Sequence, residues 1–273
     1  MTAALGAAAR IPIAFVRRDR AIDFSYKAGL ALRLASAVVT VGVFFFISRA
    51  VGTGNNALLG GGKDYFAFVL VGVALQEFLG QSVGGLGSQV RENQTTGTLE
   101  FMLLSPSRLP VILVSSALWL QVSAAMSAGT YLAAGTLLGA DFGRADLPAT
   151  VLTLALAIVG FTGLGLLAAA VVVMVKRGNP LGWAIRGASL VLGGVFYPTS
   201  VLPEGLRILG AALPITHALE LLRGAILNGS GIAVMAGEFA ALAVVSVAWL
   251  VVGLMGFALA IRLGRIDGSL NQY

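Results

Sequence analysis

The polar side chains that could do chemistry in this apolar chain begin with Gln76, Glu77 and Gln81, which fall within one predicted membrane span. Glu77 is near the centre of that span. An ionisable side chain at such depth is expensive to bury, so by default it indicates a functional site. Arg33 and Arg186 are the candidate partners for its charge, but both are predicted nearer the ends of their spans and can snorkel to the interface. Two interpretations stay open: a structural pairing between helices, or a site on a substrate or ion pathway.

His217 is the single histidine of the chain. With Ser200 or Glu220 it forms a conceivable catalytic set for an intramembrane enzyme, but a lone histidine beside prolines is weak support for that function. A histidine-rich metal site is excluded. Because the chain has no cysteine, thiol catalysis, disulfides and thiolate metal sites are excluded as well. We therefore predict no catalytic residue and no metal site.

Lys63 follows Gly60–Gly62, as the lysine of a phosphate-binding loop follows glycine. The P-loop pattern also requires a glycine separated by four residues from the Gly-Lys pair and serine or threonine after the lysine, where this chain has Ala57 and Asp64. No other nucleotide-binding loop is evident. We predict that this chain binds no cofactor and that any ATP and Mg²⁺ are bound by a separate ATPase chain.

The composition is that of an integral membrane protein. Of the 273 residues, 58% are hydrophobic and only 11% are charged, against about 25% charged in a typical soluble domain. The mean hydropathy is +0.92. In such a protein the net charge of +6 does not indicate nucleic-acid binding, because the distribution of basic residues among the loops is the informative quantity.

The predicted fold is an all-α polytopic membrane protein with one transmembrane domain over residues 1–273. A bilayer requires about 20 apolar residues per helix. Six segments meet or approach this length: 30–49, 66–90, 110–138, 149–175, 181–197 and 236–261. The fifth is the shortest, as expected of a half-broken element that ends at Pro198.

Basic residues predict the orientation. Of the 18 lysines and arginines, five fall in the segments that are outside when both termini are inside: Arg49, Lys63, Arg144, Arg207 and Arg223. The other thirteen fall inside. The positive-inside rule therefore places both termini in the cytoplasm.

The polar N-terminal stretch 10–27 is predicted to be an amphipathic helix on the cytoplasmic membrane surface. Its apolar stripe has helical spacing, and its charged residues lie mainly off that stripe. Membrane lipids are its expected partner. A disordered basic tail is the alternative. The stripe consists of Ile11, Phe15, Ile22 and Tyr26, and the charged residues include Arg17, Arg18, Asp19 and Arg20.

The predicted cytoplasmic loop 91–106 is more apolar than a solvated loop should be. Thr96 or Thr98 could cap a short helix that Ser105-Pro106 ends. A short apolar helix on this face suggests a docking site for a partner, or else it folds back under its own bundle. The residues concerned are Gly97, Thr98, Leu99, Glu100, Phe101, Met102, Leu103 and Leu104.

The stretch from Gly193 to Arg223 is too apolar for an ordinary loop and too interrupted for a span, because Pro198, Pro203 and Pro214 break it. Broken backbone at membrane depth requires shielding by protein or by a water-filled cavity. We predict a re-entrant outer element over residues 198–223 that caps a cavity between spans. A surface helix resting on lipid is the alternative.

Several other residues in the spans indicate helix packing. Gly80-x-x-x-Gly84, Gly135-x-x-x-Gly139 and the group Gly160, Gly163 and Gly165 let helix backbones approach one another. Gln121, in the third span, is typical of an interhelical hydrogen bond. Neither pattern is specific for a function.

Four groups of residues, in order along nearly the whole chain, resemble the membrane-spanning subunit of ABC-2 type transporters, a family of drug, lipid-linked and polysaccharide exporters. They are Arg17-Arg18-Asp19 with Ser25-Tyr26; Gly97-Thr98-Leu99-Glu100 with Ser105-Pro106; Phe196-Tyr197-Pro198 with Leu202-Pro203; and Leu213-Pro214-Ile215-Thr216-His217 with Arg223. Each is short and modestly specific, but their order and spacing make the match strong.

The resemblance implies a half-transporter in a bacterial-type cytoplasmic (inner) membrane. Two copies, or two related permeases, would pair, and each would engage a separate ABC ATPase through residues 97–104 and through the connecting helix 10–27. Phe196, Tyr197, Pro198 and the following re-entrant element would line or gate the outer exit. The implied substrate is lipophilic, drug-like or lipid-linked. A polysaccharide or glycoconjugate permease and a gradient-driven secondary transporter using Glu77 are the alternatives.

Overall fold

The computed structural model describes residues 13–14, 16–21, 23–25, 27–51, 65–95, 109–175 and 178–266, and this part of the chain contains helices and no strand. An N-terminal segment is helical at residues 13–14, 16–21 and 23–25. Eight α-helices follow: α1 (Lys27–Val51), α2 (Tyr65–Thr95), α3 (Leu109–Leu137), α4 (Leu147–Val175), α5 (Pro180–Leu192), α6 (Glu204–Ala211), α7 (Pro214–Asn228) and α8 (Ala236–Ile266). The all-helical fold class is confirmed in this part.

The long helices agree closely with the predicted spans. Within the described residues, α1, α2, α4 and α8 are long and apolar enough to cross a membrane, and the pair α6–α7 counts as a fifth candidate if it is one broken span. Helix α3, of 29 residues, covers the predicted third span. The count of six spans stays a prediction.

Helix α5 is shorter than the predicted fifth span, 181–197. It begins at Pro180, where the Asn179 side-chain oxygen caps the helix by accepting from the Gly182 N–H at 2.8 Å. It ends at Leu192, because Gly193 and Gly194 follow and Gly194 has a φ of +74°, a left-handed backbone that favours glycine. Its 13 residues extend only about 20 Å, less than the ~30 Å hydrocarbon core.

The proline-rich stretch after α5 forms short elements. Pro198 precedes a 3₁₀ turn (Thr199–Val201), Pro203 precedes α6, and Pro214 is the first residue of α7. Helices α6 and α7 are bent by 89° relative to each other. Each proline lies where its missing N–H leaves no hydrogen bond unmade. Helix α7 continues to Asn228, beyond the predicted end of this element at residue 223.

The long helices run in two opposite directions, α1 and α3 one way and α2, α4 and α8 the other, and so define two ends of the bundle. Asn179, at the start of α5, lies against Gly87 in the second half of α2. Val195, beyond the end of α5, lies against Gly72 in the first half of α2. We call the ends lower and upper. The lower end holds Lys27, Thr95, Leu109, Val175, Pro180 and Ile266, and the upper end holds Val51, Tyr65, Leu137, Leu147 and Ala236. The lower end is the predicted cytoplasmic one.

Helices α4 and α8 form the closest pair in the bundle. A Cβ added at Gly253 would overlap the backbone of Gly163, and one added at Gly163 would overlap the backbone of Trp249. Glycine at both positions therefore lets the two backbones touch, as the glycine pattern in the fourth span predicted. The apolar core beside this crossing includes Phe78 and Phe161, whose rings meet edge to face at 5.5 Å.

We expect Gly253→Val to destabilise the α4–α8 pair by roughly 1–3 kcal/mol, the usual effect of overpacking a close contact. The apparent melting temperature of the purified protein in detergent measures this loss. Gly42→Ala is the matched control, because a Cβ at Gly42 meets nothing within 4 Å. Equal melting temperatures for Gly253→Val and the control would contradict the close crossing.

Candidate functional site: a polar cleft below a clamped upper element

Polar side chains surround a cavity between α1, α2, α3 and the N-terminal segment. The cavity has a volume of ≈ 170 Å³. A larger cleft of ≈ 680 Å³ adjoins it and reaches the lower end of α2 at Glu92. Six residues line both: Asp23, Arg33, Glu77, Gln81, Trp119 and Ser123. Together they form a polar space in the lower half of an otherwise apolar bundle.

Glu77 is half-buried and faces this space. Its carboxylate accepts a hydrogen bond from the Gln81 side chain at 3.2 Å. Among the described residues no basic nitrogen lies within 4 Å of it, so the predicted ion pairs with Arg33 and Arg186 do not form, although both arginines line the same cleft. Gln76 has another role, because its side chain donates to the Arg186 backbone carbonyl at 3.1 Å and joins α2 to α5.

The N-terminal segment closes the lower side of the cavity. Asp19 is buried and accepts hydrogen bonds from Arg18 at 2.7 Å and from Gln89 of α2 at 3.3 Å. Asp23 accepts from the Trp119 indole N–H of α3 at 2.7 Å. The segment is helical at the described residues, and it packs on α2 and α3 through acidic side chains. Its position on the membrane surface stays a prediction. Its two neighbouring arginines, Arg17 and Arg20, are exposed.

The predicted coupling residues, 97–104, lie outside the described residues. Helix α2 continues to Thr95, so residues 91–95 of the predicted loop are helical, and α3 begins at Leu109. Both flanking helix ends are at the lower end of the bundle, beside the N-terminal segment. Whether residues 97–104 bind a partner stays a prediction.

Arg223, on α7, clamps the upper element to the bundle. Its guanidinium donates to the carbonyls of Gly194 and Val195 at 2.8 Å each and to that of Phe68 at 3.3 Å. It also lies 3.5 Å from the centre of the Phe68 ring. Because α5 ends at Leu192, the carbonyls just beyond it lack helical partners, and Arg223 supplies the donors.

Sequence reasoning noted Arg223 as part of the family pattern and missed this role. The contacts join residues that are far apart in sequence, so no local pattern contains them. The available signal was a charged residue in an apolar stretch that also contains a broken helix end, since buried broken backbone must find donors.

Two of the predicted gate residues contact other parts of the upper end. Phe196 stacks on Phe44 of α1 with ring centres 5.5 Å apart, and the Tyr197 hydroxyl donates to the Val191 carbonyl. Pro198, Pro203 and Pro214 begin the short elements described above. In the predicted outer element, α7 therefore packs on the bundle, whereas most of α6 is exposed.

His217 does not form the conceivable catalytic set. Its Nε2 lies 2.9 Å from the Ala211 carbonyl and its Nδ1 lies 3.3 Å from a carboxylate oxygen of Glu238 at the start of α8. Glu220 accepts instead from Thr199 at 2.9 Å. Ligand atoms of His217, Glu220 and Glu238 lie within 4.8 Å of one another, but each already has a protein partner. The group joins α7 to α8.

Gln121 forms the predicted interhelical hydrogen bonds. Its side-chain nitrogen donates to the Thr162 hydroxyl of α4 at 2.9 Å, and its oxygen accepts from the Ser82 hydroxyl of α2 at 2.7 Å. All three residues are buried. This hydrogen-bond network connects α2, α3 and α4.

A comparison with protein families identifies the chain. A family model described as ABC-2 type transporter matches residues 24–227, which include α1 to α6 and nearly all of α7. No curated protein matches the chain. The match covers most of the sequence and agrees with the apolar helices of the structure. The chain is therefore a multi-pass membrane protein, a non-catalytic transporter component that belongs to the ABC-2 type transporter family.

Proposed function

We propose that this chain is the membrane-spanning subunit of an ATP-driven exporter for a lipophilic, drug-like or lipid-linked substrate. A separate ABC ATPase binds and hydrolyses ATP with Mg²⁺, and a second permease copy, identical or related, completes the translocation pathway. The family typically works with such an ATPase. The direction of transport and the partners are part of the proposal.

The observation that carries this proposal is the arrangement of the two ends. The N-terminal segment and the ends of α2 and α3 that flank residues 97–104 lie at the lower end, beside the polar cleft. The proline-broken element lies at the upper end, held by Arg223. A movement of an ATPase at the lower end would therefore act first on the cleft and then on the upper element.

Helix α2 links the two ends in one rigid element. It runs without a break from Tyr65 to Thr95, about 46 Å at helical rise. Its last turn adjoins the predicted ATPase-binding loop, and its first turn carries Phe68, which contacts Arg223. Closure of the ATPases would shift α2 and the N-terminal segment together. This shift would favour a state with a narrower cleft and a released upper element, because the two states differ in these contacts.

Co-purification with an ABC ATPase tests the proposal. The complex, reconstituted in lipid vesicles, should hydrolyse ATP faster when a transported molecule is added, so a panel of lipids and lipophilic compounds identifies the substrate class. Transport that continues without an ATPase, driven by an ion gradient, would contradict the proposal.

A gradient-driven transporter is the second candidate function, and Glu77 is the observation that favours it. This carboxylate has no basic nitrogen within 4 Å in the described part of the chain and faces the polar cleft. If the protein were gradient-driven, Glu77 would bind the coupled ion or proton, and Glu77→Gln would abolish uptake into vesicles that lack an ATPase. We expect no such uptake by the wild-type chain. ATP-independent transport that Glu77→Gln abolishes would favour the second function.

A further inference from the structure

Besides Asp23, which accepts a hydrogen bond from Trp119, three charged side chains face the cleft without an opposite charge within 4 Å in the described part of the chain. Arg33 and Arg186 have no carboxylate oxygen within 4 Å, and Glu77 has no basic nitrogen within 4 Å, among the residues that the structure describes. Arg33 donates to the Ser123 hydroxyl at 2.7 Å, and Glu77 accepts from Gln81. All three charges therefore remain available to a molecule in the cleft.

Both arginines are exposed, and each is oriented by a contact with a neighbouring helix. Ser123, the partner of Arg33, lies about 21 Å along α3 from its first residue, so the Arg33 side chain is directed toward the middle of α3 and not toward the lower end. The Arg186 guanidinium lies across α2, where a Cβ at Gly80 would be 3.2 Å from its Nε. Glycine at position 80 makes room for it.

Uncompensated charges at membrane depth are unfavourable for a helix in lipid. They are tolerated where water or a polar ligand solvates them. Two guanidinium groups suit a phosphate, because each presents several N–H donors in a planar fork. A carboxylate suits an ammonium group, which it attracts and whose N–H donors it accepts.

We propose that the cleft binds the head group of an amphiphile that carries both a phosphate and an ammonium group. The phosphate lies between Arg33 and Arg186, and the ammonium group lies at Glu77. The apolar walls of the adjoining cavity, Phe24, Leu34 and Met126 among them, receive the part of the molecule next to the head group. This inference rests on the proposed exporter function and selects a zwitterionic phospholipid-like substrate within it.

Access agrees with this assignment. The cleft continues from Glu77 along Gly84 and Ser88 to Glu92 at the lower end, which is the predicted cytoplasmic side. A lipid of the inner leaflet can therefore bring its head group into the cleft from below. A neutral lipophilic compound would leave all three charges unpaired.

The test measures binding to the purified full-length chain in detergent, without an ATPase. A fluorescent short-chain phosphatidylethanolamine is displaced by unlabelled dioctanoyl-phosphatidylethanolamine, by dioctanoyl-phosphatidylglycerol, which has the phosphate but no ammonium group, or by water-soluble phosphoethanolamine. We expect Arg33→Gln and Arg186→Gln each to reduce the affinity for both lipids by roughly tenfold or more. Glu77→Gln should weaken phosphatidylethanolamine alone. Arg207→Gln, on exposed α6, is the matched control and should change neither.

The inference is overturned if the glutamine variants bind both lipids as the wild type does, or if Glu77→Gln weakens the two lipids equally. If water-soluble phosphoethanolamine binds as tightly as phosphatidylethanolamine, the conclusion that the ligand is an amphiphile is wrong. A glutamine variant that does not fold is replaced by the lysine variant at the same position. Lysine lacks the planar fork and should weaken phosphatidylglycerol several-fold, whereas unchanged affinity would count against the site. ATP-dependent transport without head-group selectivity would overturn only this inference and leave the exporter function in place.

Discussion

Replacing Arg223 with methionine is expected to destabilise the folded protein by roughly 2–4 kcal/mol, because it leaves the Gly194 and Val195 carbonyls buried without donors. Methionine keeps much of the side-chain volume. The decrease in stability therefore measures the loss of the hydrogen bonds and of the cation–π contact with Phe68. The total free energy of unfolding of a folded protein is only about 5–15 kcal/mol. We therefore expect a large decrease in the amount of monodisperse protein and in its melting temperature.

Arg223→Lys separates charge from geometry. One ammonium group cannot reach all three carbonyls as the guanidinium does, so the lysine variant should recover only part of the lost stability. Arg207→Met is the control, since Arg207 is exposed on the neighbouring helix α6. Stability of Arg223→Met equal to that of Arg207→Met would show that the clamp does not hold the upper element.

Leu103→Asp and Glu100→Arg are expected to reduce ATP-coupled transport more than tenfold while the protein still inserts. If residues 97–104 dock on an ATPase through apolar side chains, a carboxylate at Leu103 would have to lose its hydration in that contact, which is strongly unfavourable. Pull-down of the ATPase and transport into inverted vesicles measure the two consequences. Binding and transport should fall together.

Leu137→Asp is the control for this substitution. Leu137 ends α3 at the upper end and is 87% exposed, so an aspartate there should leave ATPase binding unchanged. Normal pull-down and normal transport in Leu103→Asp and Glu100→Arg would place the coupling contact elsewhere.

The long helices were predictable because hydropathy alone determines where a chain can cross a bilayer. The predicted segments 30–49, 66–90, 149–175 and 236–261 each lie inside an observed helix. The end of α5 was not predictable from hydropathy, since residues 193–197 are as apolar as the helix before them. The left-handed backbone at Gly194 and the hydrogen bonds from Arg223 to the following carbonyls determine where α5 ends.

The site was predicted only in part. Sequence reasoning identified Glu77 and both arginines, because charges inside spans are rare. It paired them with one another, whereas in the structure Arg33 binds Ser123 and Glu77 binds Gln81. It also missed Asp23 and Trp119, whose contact connects the N-terminal segment to α3. Such pairings depend on how helices rotate about their axes, which a single sequence does not specify.

In the proposed mechanism, the segment that binds the ATPase and the element that opens lie on opposite faces of the membrane. The chain has no cysteine, so single cysteines at Thr98 and Ser200 can be labelled with a membrane-impermeant maleimide in intact cells stripped of any outer layer. We predict that Ser200→Cys reacts from outside and that Thr98→Cys reacts only after the membrane is permeabilised. Reaction of both positions from the same side would contradict the account.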